Sequence, residues 1–154
     1  MGRKSTKENK SIFQIKRESL NLTREAASDK LGFITADRLE KIENGRTTPH
    51  PEEILAMAEA YNCPSICNNY CANECPIGKK YITEVEEKAL SQITLEVINT
   101  LANLNKQKDR LVEITVDGTI SDEEEQDFNT IIEELNSMSQ SISSMKLWIE
   151  EHIK

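Results

Sequence analysis

The chain has few residues that turn a backbone or stack as rings. Its 154 residues include five glycines, four prolines and 5% aromatic side chains. So little turn chemistry argues against a many-stranded sheet, and the supply of Glu, Lys, Leu and Ile argues for long helices. No run of about 18 apolar residues occurs, so no membrane-spanning helix is expected. The opening MGRKSTKENK has no apolar stretch of the kind a secretory signal needs, which makes a cytoplasmic location the expectation. The two histidines, His50 and His152, are far apart in sequence. No nucleophile–base pair or glycine-rich phosphate loop is evident, so no enzymatic activity is expected. Cysteine is absent everywhere except between Tyr61 and Gly78, where all four occur.

Charge is unevenly spread. Residues 1–60 hold 11 Lys/Arg against 10 Asp/Glu, and residues 61–154 hold 8 against 17, so +1 and −9 make up the net −8. Only the N-terminal end, with a basic arm over residues 1–10, has the balance to meet a polyanion.

Helix signals divide the rest. Ile12, Phe13, Ile15 and Leu20 recur at helical spacing. Thr23 caps a helix that stops at Gly32, and Thr35 caps another that carries Leu39 and Ile42 and stops at Asn44-Gly45. Pro51, Glu52 and Glu53 open a fourth, with Ile54, Leu55 and Ala58 expected inside. Beyond the cysteines, 81–114 reads as one long helix with a stripe of Leu90, Ile93, Val97, Leu101, Leu104 and Leu111. VDG breaks it, and Ser121 with Glu124 forms a capping box for the next. There Phe128, Ile131, Leu135, Met138, Ile142, Met145 and Ile149 make an unbroken heptad seam, the pattern of a coiled coil. The expectation is an antiparallel hairpin with both stripes buried between its helices. Trp148 and Ile132, beside the seam, are candidates for a dimer or partner contact. EITVDGTISDEE aligns loosely with a calcium loop, but Glu113 and Thr115 take its first and third positions, and a turn at Gly118 explains it.

The stretch LTREAASDKLG…RLEKIENGRTTPHPEEILAMAEAYN resembles the helix-turn-helix domain of the phage Cro/repressor class, the Xre family. The resemblance rests on Ala27, Leu31-Gly32, Ile42-Glu43-Asn44-Gly45-Arg46, Pro49, and Leu55 with Ala58, and it covers about a third of the chain. It implies a compact helical bundle whose second helix of the pair enters the major groove of double-stranded DNA. Carried over, it places Arg24 and Arg46 on phosphates and Thr35, Ala36, Asp37, Arg38 and Lys41 near base edges. The segment Gly32–Ile42 is one residue longer than the family pattern, and the reading helix is rich in acid.

Cys63, Cys67, Cys71 and Cys75 fall at four-residue intervals. In a reducing compartment such a cluster points to a metal centre rather than disulfides. A straight helix would stretch the row over about 18 Å at 1.5 Å per residue. Pro64, Asn68-Asn69 and Pro76 are therefore expected to bend it into a wrap. Zinc needs sulfurs about 3.8 Å apart, whereas β-carbons at i and i+4 lie about 5–6 Å apart. That spacing, and the resemblance of Cys75-Pro76 to ferredoxin segments, favours a four-iron iron–sulfur cluster over zinc.

The expected protein is all-α: a basic arm (1–10), a helix-turn-helix domain (11–62), a cysteine-rich connector (63–80) and a helical hairpin (81–154). The function expected is sequence-specific transcriptional regulation, with the hairpin making a homodimer or holding a protein partner. The alternative is a protein-interaction module that keeps the helix-turn-helix fold without DNA readout.

Overall fold

A computed structural model describes residues 9–153, which excludes most of the basic arm at 1–10. The described residues are helical with no strand, and they divide into two compact units, 1–84 and 85–154.

In the first unit, α1 (Ile12–Ser19) starts where the Ser11 side chain accepts the Gln14 N–H. Its inward face is Phe13, Gln14 and Arg17, while Ile15 and Leu20 are exposed, against expectation. The rotation follows from Arg17, which is drawn inside by the Glu43 carboxylate at 2.6 and 2.9 Å. A desolvated guanidinium needs a buried counter-charge more than Ile15 needs burial. α2 (Arg24–Leu31) begins at its Thr23 cap and ends at Gly32, whose φ of 77° is the left-handed turn that glycine permits. α3 (Ala36–Glu43) follows with Thr35 as cap. α4 (Pro51–Tyr61) buries Ile54, Met57, Ala58 and Tyr61. Those positions, three and four apart, define its inner face, which leaves Leu55 outside rather than inside as expected.

The cysteine stretch does not stand apart as a connector. α5 (Ser65–Asn73) seats Ile66 and Tyr70 in the same core as Phe13, Leu39, Ile42 and Met57. The expected wrap is instead a helix through Cys67 and Cys71, followed by a sharp return into α6 (Gly78–Tyr81). Cys67 and Cys71 obey the helix because Ile66 and Tyr70, beside them, are the anchors that gain most from burial.

In the second unit, α7 (Leu90–Thr115) and α8 (Glu125–His152) pair antiparallel. Thr100–Met138, Asn103–Glu134 and Arg110–Asp127 contacts keep one register along their length. α7 starts at Leu90, not at 81. Residues 82–89 form neither helix nor strand: the Asn68 amide donates to the Thr83 carbonyl and the Asn69 amide to Glu84, while Lys88 reaches forward to Glu96 at 2.9 Å. Glu84 and Glu87, three apart, would repel each other on a helix, and Ile82, Thr83 and Val85 are β-branched. The turn between the helices holds Gly118 at φ 76°, with the Thr119 N–H bonded to the Asp117 carboxylate. The Glu124 carboxylate accepts from the Ser121 N–H, which is one half of the expected capping box, but the Ser121 hydroxyl also donates to that carboxylate, and α8 begins only at Glu125 with no side-chain cap.

Candidate nucleic-acid interface

α2 and α3 are joined by Gly32, Phe33, Ile34 and Thr35. The extra residue in this turn is absorbed by splitting two apolar side chains. Ile34 is 1% exposed in the core, and Phe33 stands 63% exposed beside the start of α3. The Ser28 hydroxyl donates to the Ile34 carbonyl at 2.8 Å and ties the turn back to α2. Sequence reading passed over Phe33. Its signal was the added residue itself, because an apolar pair in a tight turn can bury one member only.

The outer side of α3 carries exposed Asp37 and Lys41, and the exposed Thr35 cap precedes them. Ala36 and Arg38 are half-buried. Leu39, Ile42 and Glu43 hold the inner side against the core. The helix pair therefore puts Thr35, Asp37, Lys41 and Arg46 on exposed ground around one element. Arg24 lies at the N-terminus of α2, where the helix dipole already attracts an anion.

Each of the four cations expected at DNA also holds an acid of its own unit. Arg24 Nε donates to Glu43 at 2.8 Å, Arg38 grips Glu53 at 2.8 and 2.7 Å, Lys41 meets Asp37 at 2.7 Å, and Arg46 meets Glu40 at 3.3 Å. These pairs differ in kind. Glu43 is buried and shared by Arg17 and Arg24, so it is a structural anion fixing α3 against α1 and α2. The hydrogen bonds that Arg17 donates to Glu43 lead in raising the Arg17 pKa above its ordinary value. Arg38 also donates to the Thr47 hydroxyl and the Thr48 carbonyl, so it straps α3 to the loop before α4. The Arg38 hydrogen bonds are the main cause holding the Glu53 carboxyl below the usual carboxylate range, and Glu53 in turn raises Arg38. Lys41–Asp37 and Arg46–Glu40 are exposed, and such pairs exchange partners at little cost. Sequence reading placed Arg38 among base readers and missed Glu53 as its organiser and Glu43 as that of Arg24. A buried acid is not marked in a sequence until its cationic partner is known.

The four cysteines form no disulfide. Cys63 is buried in the core and lies 3.0 Å from the Ser65 hydroxyl, and Cys67, Cys71 and Cys75 pack partly buried against the same core. The Gly78 N–H points at the Cys75 sulfur at 3.5 Å. Among the described residues no three of these sulfurs gather within 4.8 Å of one another. Thiolates are the right donors for zinc or an iron–sulfur cluster, but this spacing does not fit a single tetrahedral zinc.

Residues 14–65 match the family model described as helix-turn-helix, and this segment is a helix-turn-helix domain. The match spans α1 to the first residue of α5. No curated protein and no solved structure matches the chain. No helix among the described residues is long and apolar enough to cross a membrane.

Proposed function

We propose that this chain is a transcriptional regulator that lays α3 in the major groove of double-stranded DNA and crosses the backbone with α2. The observation that carries the reading is the helix pair itself: a capped α2, a glycine turn and a capped α3 with its outer side exposed, inside a segment that matches the helix-turn-helix family model. Arg46 and Lys41 trade their exposed carboxylates for phosphate, and Arg24 offers its exposed edge to another phosphate. Thr35, Ala36, Asp37 and Lys41 lie nearest the base edges. Arg38 acts as a positioning residue that sets the angle of α3, with the face it leaves exposed turned to the DNA. Phosphate contacts fix register and base contacts give sequence preference.

A duplex-pool binding assay at two salt concentrations tests this. Salt-dependent binding of a defined sequence class is expected, with Arg46→Ala weakening all sequences alike. Salt-independent retention, or none, overturns it. The second reading, a protein-interaction module with this fold, is favoured by one observation: every candidate cation already holds an acid.

The cysteine row is the second element of the proposal. Four thiols within 13 residues, three of them only partly buried, support a soft-metal centre. A four-iron cluster, whose ligand sulfurs stand farther apart than those of zinc, suits the row better, and when bound it would make the domain sensitive to redox or iron status. Visible absorption and metal analysis of anaerobically purified protein decide it. A brown protein with iron is expected, and metal-free protein with four titratable thiols removes the centre.

A further inference from the structure

The hairpin buries the wrong part of its own pattern. Ile131, Met138 and Met145 point from α8 towards α7, as the heptad seam requires. The alternate seam positions do not follow. Leu135, Ile142 and Ile149 are 40%, 41% and 42% exposed, and Ser141 is buried instead. On α7 the line towards α8 is Ile93, Thr100, Gln107 and Ile114, while Leu101 of the apolar stripe is 50% exposed. Contacts fix which flank is which. Asn103 donates to Glu134 and Arg110 to Asp127, so one flank of the helix pair is a polar strap. Residues on the other side of each contact line share the opposite flank. On α7 they are Val97, Leu101 and Leu104, and on α8 they are Leu135, Ile142 and Ile149. Trp148 belongs with Ser141 on the strap side, where it stacks on His152 at 4.3 Å. The contact expected at Trp148 therefore moves to the other flank.

We infer that this apolar flank pairs with the same flank of a second copy, closing two hairpins into a four-helix bundle. Three observations select a second copy over a foreign partner. The first is area. α7 has 26 residues and is about 39 Å long at 1.5 Å per residue. Two helices about 10 Å apart then present a strip on the order of 800 Å², the area each partner gives to a standard interface. The second is charge. This unit is strongly acidic, yet the acids that contacts place, Glu96, Asp127 and Glu134, lie on the strap flank, and none falls on the apolar flank of α8 between Leu135 and Ile149, so two copies can meet along that stretch without facing carboxylates. The third is the shared heptad interval of Leu135, Ile142 and Ile149, matched by Val97 and Leu104 on α7, which lets identical surfaces interdigitate. The inference deepens the proposed function. A reading helix whose cations are already paired gains affinity when two copies bind two half-sites about one helical turn apart.

Sedimentation of the full chain tests the flank without DNA. The parent protein is expected at twice 17.5 kDa. Ile142→Glu is expected to sediment as the monomer, and Ser137→Glu, on the strap side, to remain a dimer. Leu101→Ala and Ile142→Ala, which keep helix propensity, should each raise the dimer dissociation constant at least tenfold, so the conclusion does not depend on Ile142→Glu staying folded. A monomeric parent, or alanine variants that dimerise like the parent, overturns the inference. DNA binding is scored separately. A dimer that ignores duplex DNA upholds the flank and removes the regulator reading, and a monomer that binds single half-sites does the reverse.

Discussion

The two units of this chain solve burial in opposite ways. The helix-turn-helix unit surrounds an apolar core with charges that it draws inside and pairs. Arg17 and Glu43 are 5% and 2% exposed, in contact with each other. The hairpin keeps polar groups along its buried line and leaves leucine and isoleucine outside. Gln107 there has a buried carbonyl oxygen with no partner in the fold, and the Thr100 hydroxyl, bonded to the Glu96 and Val97 carbonyls of its own helix, faces the Met138 sulfur at 3.1 Å. Both units leave apolar side chains outside, Phe33 and Leu55 in the first and Leu135, Ile142 and Ile149 in the second, but those of the hairpin recur at a heptad interval along one flank.

The sharpest way to break this contrast is at Glu43. Glu43→Ala leaves Arg17 desolvated without its counter-charge, and removing one partner of a buried pair costs about 3–5 kcal/mol. The first unit should lose most of its stability in urea while the hairpin keeps its helicity. Retention of the parent midpoint would mean that water reaches Arg17 and the interior pair is not what holds α3. The next effect is at Gly78, where an added β-carbon would land on the Cys71 backbone carbonyl. Gly78→Ala should part α6 from α5 at about 1–3 kcal/mol, the usual range for overpacking, and expose Cys71 and Cys75 to thiol reagents. Unchanged thiol reactivity would separate α6 from any role in covering the cysteines. In the hairpin the sign reverses. Gln107→Leu removes a buried unsatisfied oxygen and should stabilise by about 1–2 kcal/mol, read as a higher midpoint of the helical transition. Destabilisation would show that Gln107 has a hydrogen-bond partner across the assembled bundle.

How much of this was legible in the sequence depends on what each signal encodes. Caps and glycine stops are local, so Thr23, Gly32 and Thr35 marked α2 and α3 to within a residue. Burial is not local. Ile15 and Leu55 fit their apolar patterns and point outward, because Arg17–Glu43 and the inner face of Ile54, Met57, Ala58 and Tyr61 set the rotation of α1 and α4. The heptad of α8 marked an apolar repeat, but a repeat does not say which neighbour fills it. Leu135, Ile142 and Ile149 read as intramolecular core and are exposed. The cysteine row was misjudged in shape because its prolines and asparagines outweighed two core anchors, Ile66 and Tyr70. The candidate DNA residues were found by resemblance and lie around α2 and α3; Lys41 pairs with Asp37 one turn away in the same helix, a legible spacing, but the partners of Arg24 and Arg38 come from other elements and had no signature of their own.

A smaller effect appears with pH. Glu53 in the fold has a pKa below its ordinary value near 4.5, chiefly through Arg38. A depressed carboxyl contributes stability that is complete above the unfolded pKa and is lost as pH falls through the folded one. The first unit should therefore hold a plateau above about pH 5 and weaken on acidification below the ordinary carboxylate range. Glu53→Gln should flatten that acid limb, and an unaltered limb would assign it to other carboxylates. The pairs of Arg110 in the hairpin are exposed, so its acid response should be shallower.

The smallest expected change in stability comes from the outer side of α3, and it tests the function most directly. Asp37 and Glu40 hold Lys41 and Arg46 where DNA would have to compete for them. Both pairs are exposed, so Asp37→Asn and Glu40→Gln should leave unfolding unaltered within measurement. Each change removes a negative charge beside the proposed phosphate contacts and frees a cation. If α3 reads DNA, affinity should rise for all duplexes, and the slope of log affinity against log salt should steepen by about one for each cation released to phosphate. Glu40→Gln should act through Arg46, so Arg46→Ala in the same chain should abolish the gain. If α3 faces a protein instead, the same neutral variants should leave DNA retention at background at every salt concentration. On the proposed reading the contrast between the units is a division of labour: α3 would keep its charges loosely paired for exchange, and the hairpin would keep its apolar flank open for association.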